Sequence, residues 1–232
     1  MQATYTLLPG LHGTSELYAP LIAALKPHSY EAIEYPTDQA QDYDSLVHWL
    51  DQTLDWNIPR IFIAESFSGP IAMRLAAMHP DSAQQLVLAA SFCAPPTTPN
   101  LALLPLRPFF VLSPPKKALK HFLVGNNAPP AQLDQLKTII QKIPSKALTA
   151  RIRSVLGLRP EDCPPLKSTP ILILQASDDN LIPWATQNQL RLQYPEAETH
   201  WISSPHLLLQ NQAEECAQHI SEFVSQHSPS YA

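Results

Sequence analysis

The stretch that decides the fold is RIFIAESFSGPIA, residues 60–72. It begins as an apolar, β-branched run typical of a buried strand, passes through Ser66, and ends in small residues that favour a helix. This is the layout of a nucleophile elbow, the tight strand-to-helix turn that lifts a serine hydroxyl clear of a parallel sheet. Ala64 and Ser68 occupy the positions where the usual G-x-S-x-G pattern has glycine. Because an ordinary serine-capped helix after a buried strand gives a similar pattern, the stretch needs support from elsewhere in the chain.

Two further strands downstream end in loops that carry an acid and a histidine. Residues 171–183, ILILQASDDNLIP, form an apolar run followed by two aspartates, and residues 199–206, THWISSPH, end at His206. The chain order serine, acid, histidine is that of one class of catalytic triad. Each residue follows the carboxyl end of a strand, which is the edge where open α/β sheets bind their ligands.

Four segments in this order resemble the α/β-hydrolase superfamily, and the likeness extends over nearly the whole chain. The first, LLPGLHGT (7–14), is similar to the family's oxyanion loop with Pro9 in place of His, and the second is the Ser66 elbow. The third, ASDDNLIP (176–183), is similar to the family's acid loop with Ala176 in place of Gly. The fourth, Pro205-His206 with the helix that ends ISEFV (220–224), is similar to the family's terminal histidine and closing helix.

The resemblance implies a role for each residue of a catalytic site. Ser66 attacks an acyl carbonyl, His206 accepts and returns its proton, and Asp179 orients the imidazole. The backbone N–H groups of Leu11 and Phe67 bind the oxyanion. The spacing to the following Leu-Ile-Pro favours Asp179 over its neighbour as the triad acid.

Two of these assignments have rivals in the sequence. Asp178 adjoins Asp179, and one of the two aspartates serves instead to turn the loop or cap the next helix. His200 and His12 compete with His206, although the first lies within a predicted strand and the second within the oxyanion loop.

Further residues are predicted to line the substrate site. Glu65 beside the nucleophile is expected at the surface or the rim of the cleft, and Cys93 as a small residue in the pocket wall. The three cysteines are widely spaced and odd in number, which indicates free thiols. The candidate substrate-binding residues are His12, Glu65, Cys93, Phe109 and Phe110.

Proline is unevenly distributed, and this divides the chain. Fourteen of the 25 prolines lie between Pro95 and Pro170, which prevents long helices and breaks sheet ladders. Residues 95–168 are therefore predicted to form a small helical cap between two parts of one catalytic core, 1–94 and 169–232. A disordered linker is the alternative, but the apolar residues around Phe109 and Phe110 disfavour it.

Strand and helix patterns alternate on both sides of this segment. They predict an α/β fold with a doubly wound, mostly parallel sheet of about six strands and helices on both faces. The predicted strands are Ala3–Leu8, Ser29–Glu34, Arg60–Ala64, Gln85–Ala90, Pro170–Gln175 and Glu198–Ile202. The predicted core helices are Glu16–Leu25, Tyr43–Trp56, Phe67–His79, Trp184–Gln193 and Leu207–Gln226.

Composition argues against several classes of function. The net charge is −5 and no basic run occurs, so a nucleic-acid partner is not expected. The chain has no stretch of eighteen apolar residues to span a membrane and no signal-like start, which favours the cytoplasm. It has no metal-binding motif and no nucleotide-binding glycine pattern, so we expect no metal and no cofactor. The oligomeric state does not follow from the sequence.

The function expected from these features is cleavage of a small-molecule ester. The resemblance implies a serine hydrolase, a carboxylesterase that acts on small to medium acyl groups through an acyl-enzyme on Ser66. A thioesterase or acyltransferase using acyl-CoA or an acyl carrier is the first alternative, because the same triad serves both chemistries. A ligand-binding homologue without catalysis is the second, motivated by the departures at Pro9, Ala64 and Ser68.

Overall fold

A computed structural model describes residues 3–96 and 115–228 of the 232. Within these ranges the chain forms one sheet whose strands are β1 (Thr4–Leu8), β2 (Tyr30–Ala32), β3 (Arg60–Glu65), β4 (Ala83–Ala89), β5 (Ile171–Ala176) and β6 (Glu198–Ile202). The strand order is β2-β1-β3-β4-β5-β6, and every pair among the described strands is parallel. The predicted α/β class with a doubly wound sheet is confirmed.

Helices connect the strands, as parallel pairing requires. In the described residues they are α1 (Ala19–Leu25), α2 (Tyr43–Thr53), α3 (Gly69–Met78), α4 (Lys116–Leu119), α5 (Pro130–Lys142), α6 (Ser145–Gly157), α7 (Trp184–Gln193), α8 (Leu208–Asn211) and α9 (Ala213–His227). Short 3₁₀ turns at Ser15–Tyr18 and Ser66–Ser68 lead directly into α1 and α3.

The central strands are apolar on both faces because helices cover both. Phe62 and Ala64 of β3 face the layer that contains α2, α3 and α7, whereas Ile63 faces α1 and α9. A fully buried phenylalanine or isoleucine side chain, such as that of Phe62 or Ile63, contributes about 1.5–3 kcal/mol relative to an exposed one. Period-2 alternation thus divides the core into two layers, one on each side of the sheet.

The sheet has its topological switch point between β1 and β3. From β1 the chain moves to one side to form β2 and then crosses back to form β3 on the other side. The two strands are in register, with Leu8 opposite Ala64. The loops after β1 and β3 therefore start at adjacent positions and run in opposite directions. Folds of this kind bind ligands in the crevice between two such loops.

Most predicted boundaries agree with the structure to within a few residues, and α7 and β6 match fully. The predicted helix Leu207–Gln226 is instead two helices, α8 and α9, because the backbone at Gln212 between them is not helical, with φ −126° and ψ 45°. The predicted strand Ser29–Glu34 is shorter, since β2 lies at the edge of the described sheet and pairs with β1 alone among the described strands.

The segment between β4 and β5 carries α4, α5 and α6 in its described part. The backbone N–H of Leu207 donates to the carbonyl of Leu123 at 3.0 Å, and the side chain of Asn180 donates to the carbonyl of His121 at 3.0 Å. An apolar cluster joins α4 and α5 to Leu17 and Leu207. The segment therefore packs on loops at the carboxyl edge of the sheet. Phe109 and Phe110 lie outside the described residues.

Candidate active site

Ser66 lies on a sharp turn between β3 and α3. Its φ is +51°, in the left-handed region that non-glycine residues rarely adopt and that functional turns tolerate. The next residues form a single 3₁₀ turn before α3 begins at Gly69. The side chain is thereby held at the carboxyl edge of the sheet, beside the switch point.

The two small residues of the elbow motif take different roles. Ala64 is fully buried in β3, where its methyl group belongs to the core. Ser68 is hydrogen-bonded on both sides: Tyr35 donates to its hydroxyl at 2.6 Å, and the hydroxyl donates to the carbonyl of Pro9. The serine in place of glycine therefore ties the elbow to the loop after β1.

The structure brings Ser66, His206 and Asp179 into one hydrogen-bonded chain. The Nε2 of His206 is 3.0 Å from the Oγ of Ser66, and its Nδ1 is 2.7 Å from Oδ2 of Asp179. The other Asp179 oxygen accepts from the backbone N–H groups of Leu181 and Ile182 at 2.7 and 2.9 Å. Both partners are almost fully buried, which excludes water from the pair.

The rival residues lie elsewhere. The carboxylate of Asp178 is exposed and accepts from the Ser203 hydroxyl at 3.1 Å. His200 on β6 bonds Glu198 at 2.6 Å and stacks on His219. His12 lies in the loop after β1, where its Nδ1 accepts from the backbone N–H of Thr14 at 3.2 Å.

The surroundings of His206 favour its protonated form. Burial lowers the pKa of His206, but the charge and hydrogen bond of Asp179, and then the charge of Glu65, outweigh it. The net effect raises the pKa above its ordinary value of 6.5. A more basic imidazole is a better acceptor for the Ser66 proton.

Glu65 is buried, at 1% exposure, so the expectation of a surface or rim position is wrong. Within the described residues neither carboxylate oxygen has a hydrogen-bond partner, and the nearest cationic candidate is His12 Nε2 at 3.7 Å. The alternation along β3 explains the burial: Glu65 continues the face of Ile63, which helices cover. The carboxylate lies near Gly10 and His12 in the loop after β1, and it is one of the groups that raise the pKa of His206.

The two predicted oxyanion donors follow adjacent strands. Leu11 comes three residues after Leu8, and Phe67 three residues after its register partner Ala64. The loop after β1 turns tightly, since the N–H of Gly13 donates to the carbonyl of Gly10 at 3.0 Å. Leu11 and Phe67 therefore occupy corresponding positions in the two loops that begin at the switch point.

Cys93 is fully buried among core residues, in contact through its carbonyl with the thiol of Cys163. Burial raises the pKa of Cys93 to about 11, so the thiol is a poor nucleophile at neutral pH. Its predicted contact with substrate stays a prediction, as does that of His12.

Three residues that the sequence analysis did not single out also shape the site: Tyr35, Ser91 and Arg151. The Ser91 hydroxyl donates to the carbonyl of Ser66 at 2.9 Å. Arg151 of α6 donates to the carbonyl of Leu11 at 2.9 Å. Only Arg151 carries a sequence signal: it shares a helical face with Ala147 and Leu148, an unusual place for a cation.

Over residues 3–96 and 115–228, no cluster of histidine, cysteine and acidic side chains has the form of a metal site. The same residues include no helix with the length and apolar character needed to cross a bilayer.

Comparison with known proteins supports the fold and the family. A family model described as serine aminopeptidase, S33, matches residues 31–208, which include Ser66, Asp179 and His206. No functionally curated protein matches the chain.

Many solved structures share the fold. A carboxylesterase structure from the thaumarchaeon Nitrososphaera gargenis has a TM-score of 0.80 at 16% identity, over 97% of this chain and 91% of that chain. An enol-lactonase from Burkholderia xenovorans has a TM-score of 0.82 at 14% identity, over 97% and 92%. An esterase from Exiguobacterium antarcticum has a TM-score of 0.76 at 14% identity, over 97% and 92%.

At these identities the structural likeness establishes the fold, and the family model adds the affiliation. Since that model spans more than half of the 232 residues, the chain belongs to the serine aminopeptidase S33 family of α/β hydrolases.

Proposed function

We propose that this hydrolase is a carboxylesterase that cleaves esters of small to medium acyl groups through an acyl-enzyme on Ser66. The observation that carries the proposal is the bonded chain from Ser66 through His206 to Asp179. Its distances are within the 2.6–3.2 Å that proton transfer between nucleophile and base requires.

Each residue has a step in the proposed mechanism. His206 Nε2 takes the Ser66 proton as Oγ attacks the ester carbonyl, and it returns that proton to the departing alkoxide. Asp179 holds the Nδ1–H tautomer and stabilises the imidazolium. The N–H groups of Leu11 and Phe67 bind the oxyanion, a role typically worth about 10²–10³ in kcat for each donor. Water then hydrolyses the acyl-enzyme by the same route, and these steps need no cofactor.

We also propose that residues 95–168 act as a cap over this site. The support is the packing of its described part on the loops that follow β1, β5 and β6, through Arg151, His121 and Leu123. These loops carry Leu11, Asp179 and His206. A cap anchored on three loops forms a fixed wall, which favours short and medium acyl chains.

A panel of matched substrates tests the proposed activity. We expect turnover of p-nitrophenyl acetate and butyrate, lost in Ser66→Ala, with kcat/KM higher for the oxygen ester than for the acyl-CoA thioester of the same acyl group. A hundredfold preference for the thioester would instead assign a thioesterase. A preference for aminoacyl p-nitroanilides would assign an aminopeptidase.

A protein that turns over none of these substrates, yet binds an apolar ligand equally well in Ser66→Ala, would contradict the enzymatic proposal. That result would identify a binding protein that has kept the pocket.

A further inference from the structure

Arg151 is a buried arginine that reaches from α6 into the loop after β1. Its side chain is 1% exposed. Nη1 donates to the carbonyl of Leu11 at 2.9 Å, and Nε and Nη2 donate to Oε1 of Gln41 at 3.0 and 2.5 Å. The guanidinium carbon lies 5.3 Å from the centre of the Tyr35 ring. The side chain therefore links α6, of the segment inserted between β4 and β5, to a loop of the core.

The loop is shaped around this guanidinium. Gly13 has a φ of +73°, and a Cβ placed there would lie 2.7 Å from Cζ of Arg151. Only glycine allows both the left-handed backbone and the flat contact with the guanidinium. Arg151 consequently packs against the residue whose N–H holds the Gly10 carbonyl.

Three consecutive carbonyls in this loop are held by hydrogen bonds. Ser68 donates to Pro9, Gly13 donates to Gly10, and Arg151 donates to Leu11. The Gly10–Leu11 peptide carries the N–H of Leu11, and in a trans peptide that N–H points opposite the bonded carbonyl. Arg151 directly bonds the carbonyl of the next peptide, Leu11–His12. Through its contact with Gly13, whose N–H donates to the Gly10 carbonyl, it also supports the Gly10–Leu11 peptide.

The charge of Arg151 is stabilised by neutral groups. In residues 3–96 and 115–228 no carboxylate lies within ion-pair distance of it, and residues 1–2, 97–114 and 229–232 contain no Asp or Glu. Burial lowers the pKa of Arg151 to about 10, so the side chain remains cationic at neutral pH. A buried cation without an acid is unfavourable for stability, which indicates that its position serves another purpose.

We propose that Arg151 is a positioning residue of the oxyanion hole, by which α6 fixes the N–H of Leu11 toward the reacting carbonyl. This inference rests on the proposed function, since it needs an oxyanion to form at Ser66. Arg151 touches no reacting atom; it acts through the Leu11 carbonyl and Gly13.

The test measures how well the site stabilises a negative oxygen. A trifluoromethyl ketone forms a hemiketal with an active-site serine, and NMR titration gives the pKa of its hydroxyl. In Arg151→Met we expect this pKa to rise by about 1 to 2, with kcat lowered about 10- to 100-fold, less than the loss of an oxyanion donor outright. KM should stay within about twofold, because ground-state binding does not use the oxyanion hole.

Two further variants distinguish a specific effect on the oxyanion hole from a general loss of stability. Arg151→Lys keeps the charge but lacks the planar guanidinium fork that bonds Leu11 and Gln41 at once, so its hemiketal pKa should lie between wild type and Arg151→Met. Arg60→Lys is the matched control: Arg60 is equally buried, but it bonds Thr6, Glu31 and Asp55 at the opposite end of β3. It should lower the melting temperature and leave the hemiketal pKa unchanged.

The possible failures are distinguishable. A wild-type protein that forms no hemiketal on Ser66 would contradict the proposed function itself. A wild-type hemiketal whose pKa is the same in a folded Arg151→Met or, if that variant does not fold, in Arg151→Lys, would overturn only the role of Arg151. An equal rise in Arg60→Lys would also overturn it, because the effect would then follow from any buried arginine.

Discussion

The hydroxyl of Ser91 donates a 2.9 Å hydrogen bond to the carbonyl oxygen of Ser66. This bond connects the loop after β4 to the turn after β3, and it holds the backbone of Ser66, the residue with the strained φ of +51°. It is possible because Gly69 has no side chain: a Cβ at that position would lie 2.9 Å from the Cβ of Ser91 and overlap its hydroxyl. The geometry of the elbow therefore depends on a glycine three residues beyond the nucleophile.

Gly69→Ala should accordingly damage the site and the fold together. Overpacking of this kind costs about 1–3 kcal/mol, and displacement of the Ser91 hydroxyl should also lower kcat. Thermal unfolding and ester kinetics measure the two effects. Gly157→Ala is the control: a Cβ there meets no atom within 4 Å, so it should be neutral or stabilising by about 0.4–1 kcal/mol. A Gly69→Ala protein with wild-type stability and kcat would refute this account of the elbow.

Strain at Ser66 predicts a difference between two inactive variants. Ser66→Ala and Ser66→Gly both remove the hydroxyl, but only glycine adopts a φ of +51° without steric cost. Ser66→Gly should therefore be more stable than Ser66→Ala by about 1 kcal/mol, or about 2–4 °C in melting temperature for a chain of this size. Equal melting temperatures in differential scanning calorimetry would show that the turn is not strained.

The adjacent aspartates should differ sharply in their effect on activity. Asp179→Asn removes the acceptor that fixes the His206 tautomer, so kcat should fall by about 10⁴ with little change in KM. Asp178→Asn affects only an exposed contact with Ser203 and should retain kcat within about twofold. Comparable losses in both variants would mean that the loop, rather than the specific carboxylate, matters.

The raised pKa of His206 predicts the pH dependence of the reaction. The imidazole must be neutral to accept the Ser66 proton, so log kcat/KM should rise with pH and reach its midpoint above pH 6.5. Because Glu65 is one of the groups that raise this pKa, Glu65→Gln should move the midpoint to lower pH. The exposed Glu196→Gln should leave it in place. A profile from about pH 5 to 9 measures the shift, and no shift in Glu65→Gln would exclude an electrostatic role for that residue.

The raised pKa of His206 also makes the stability of the fold depend on pH, and this stability falls with rising pH whereas activity increases. A histidine whose folded pKa is raised stabilises the fold in full below its ordinary pKa of 6.5, and this contribution is lost as the pH rises through the folded value. His206 therefore becomes a catalytic base in the pH range where it ceases to stabilise the protein.

The proposed cap predicts a dependence on acyl length. On p-nitrophenyl esters, kcat/KM should be highest for short and medium chains and fall for long ones, because a proline-rich wall limits the acyl site. Replacement of residues 101–112 by a Gly-Ser linker of equal length should relax this limit. A profile that does not change in the replaced protein would contradict a cap function for the segment.

The sequence was sufficient to predict the sheet because its strands have strong, self-contained patterns. β3 and β5 each contain four consecutive apolar residues, and α7 and β6 are bounded by proline and by turn residues, so local signals define their ends. Edge strand β2 has one partner among the described strands and no buried run, so the sequence pattern predicts a longer strand than the structure has.

The contacts that surround the site were harder to predict, since they join residues far apart in the chain. Nothing local to Tyr35 indicates a bond to Ser68, and nothing near Ser91 indicates one to Ser66. Glu65 is different: its place in the alternation of β3 predicts burial, although its charge suggested exposure.

Covalent labelling of Ser66 tests the central proposal most directly. A fluorophosphonate phosphonylates a serine only where a base and an oxyanion hole activate it. Peptide mass spectrometry of the wild-type protein should place the adduct on Ser66, with labelling abolished in Ser66→Ala and strongly slowed in His206→Gln. A wild-type protein that remains unlabelled, or one labelled at a residue other than Ser66, would contradict the account.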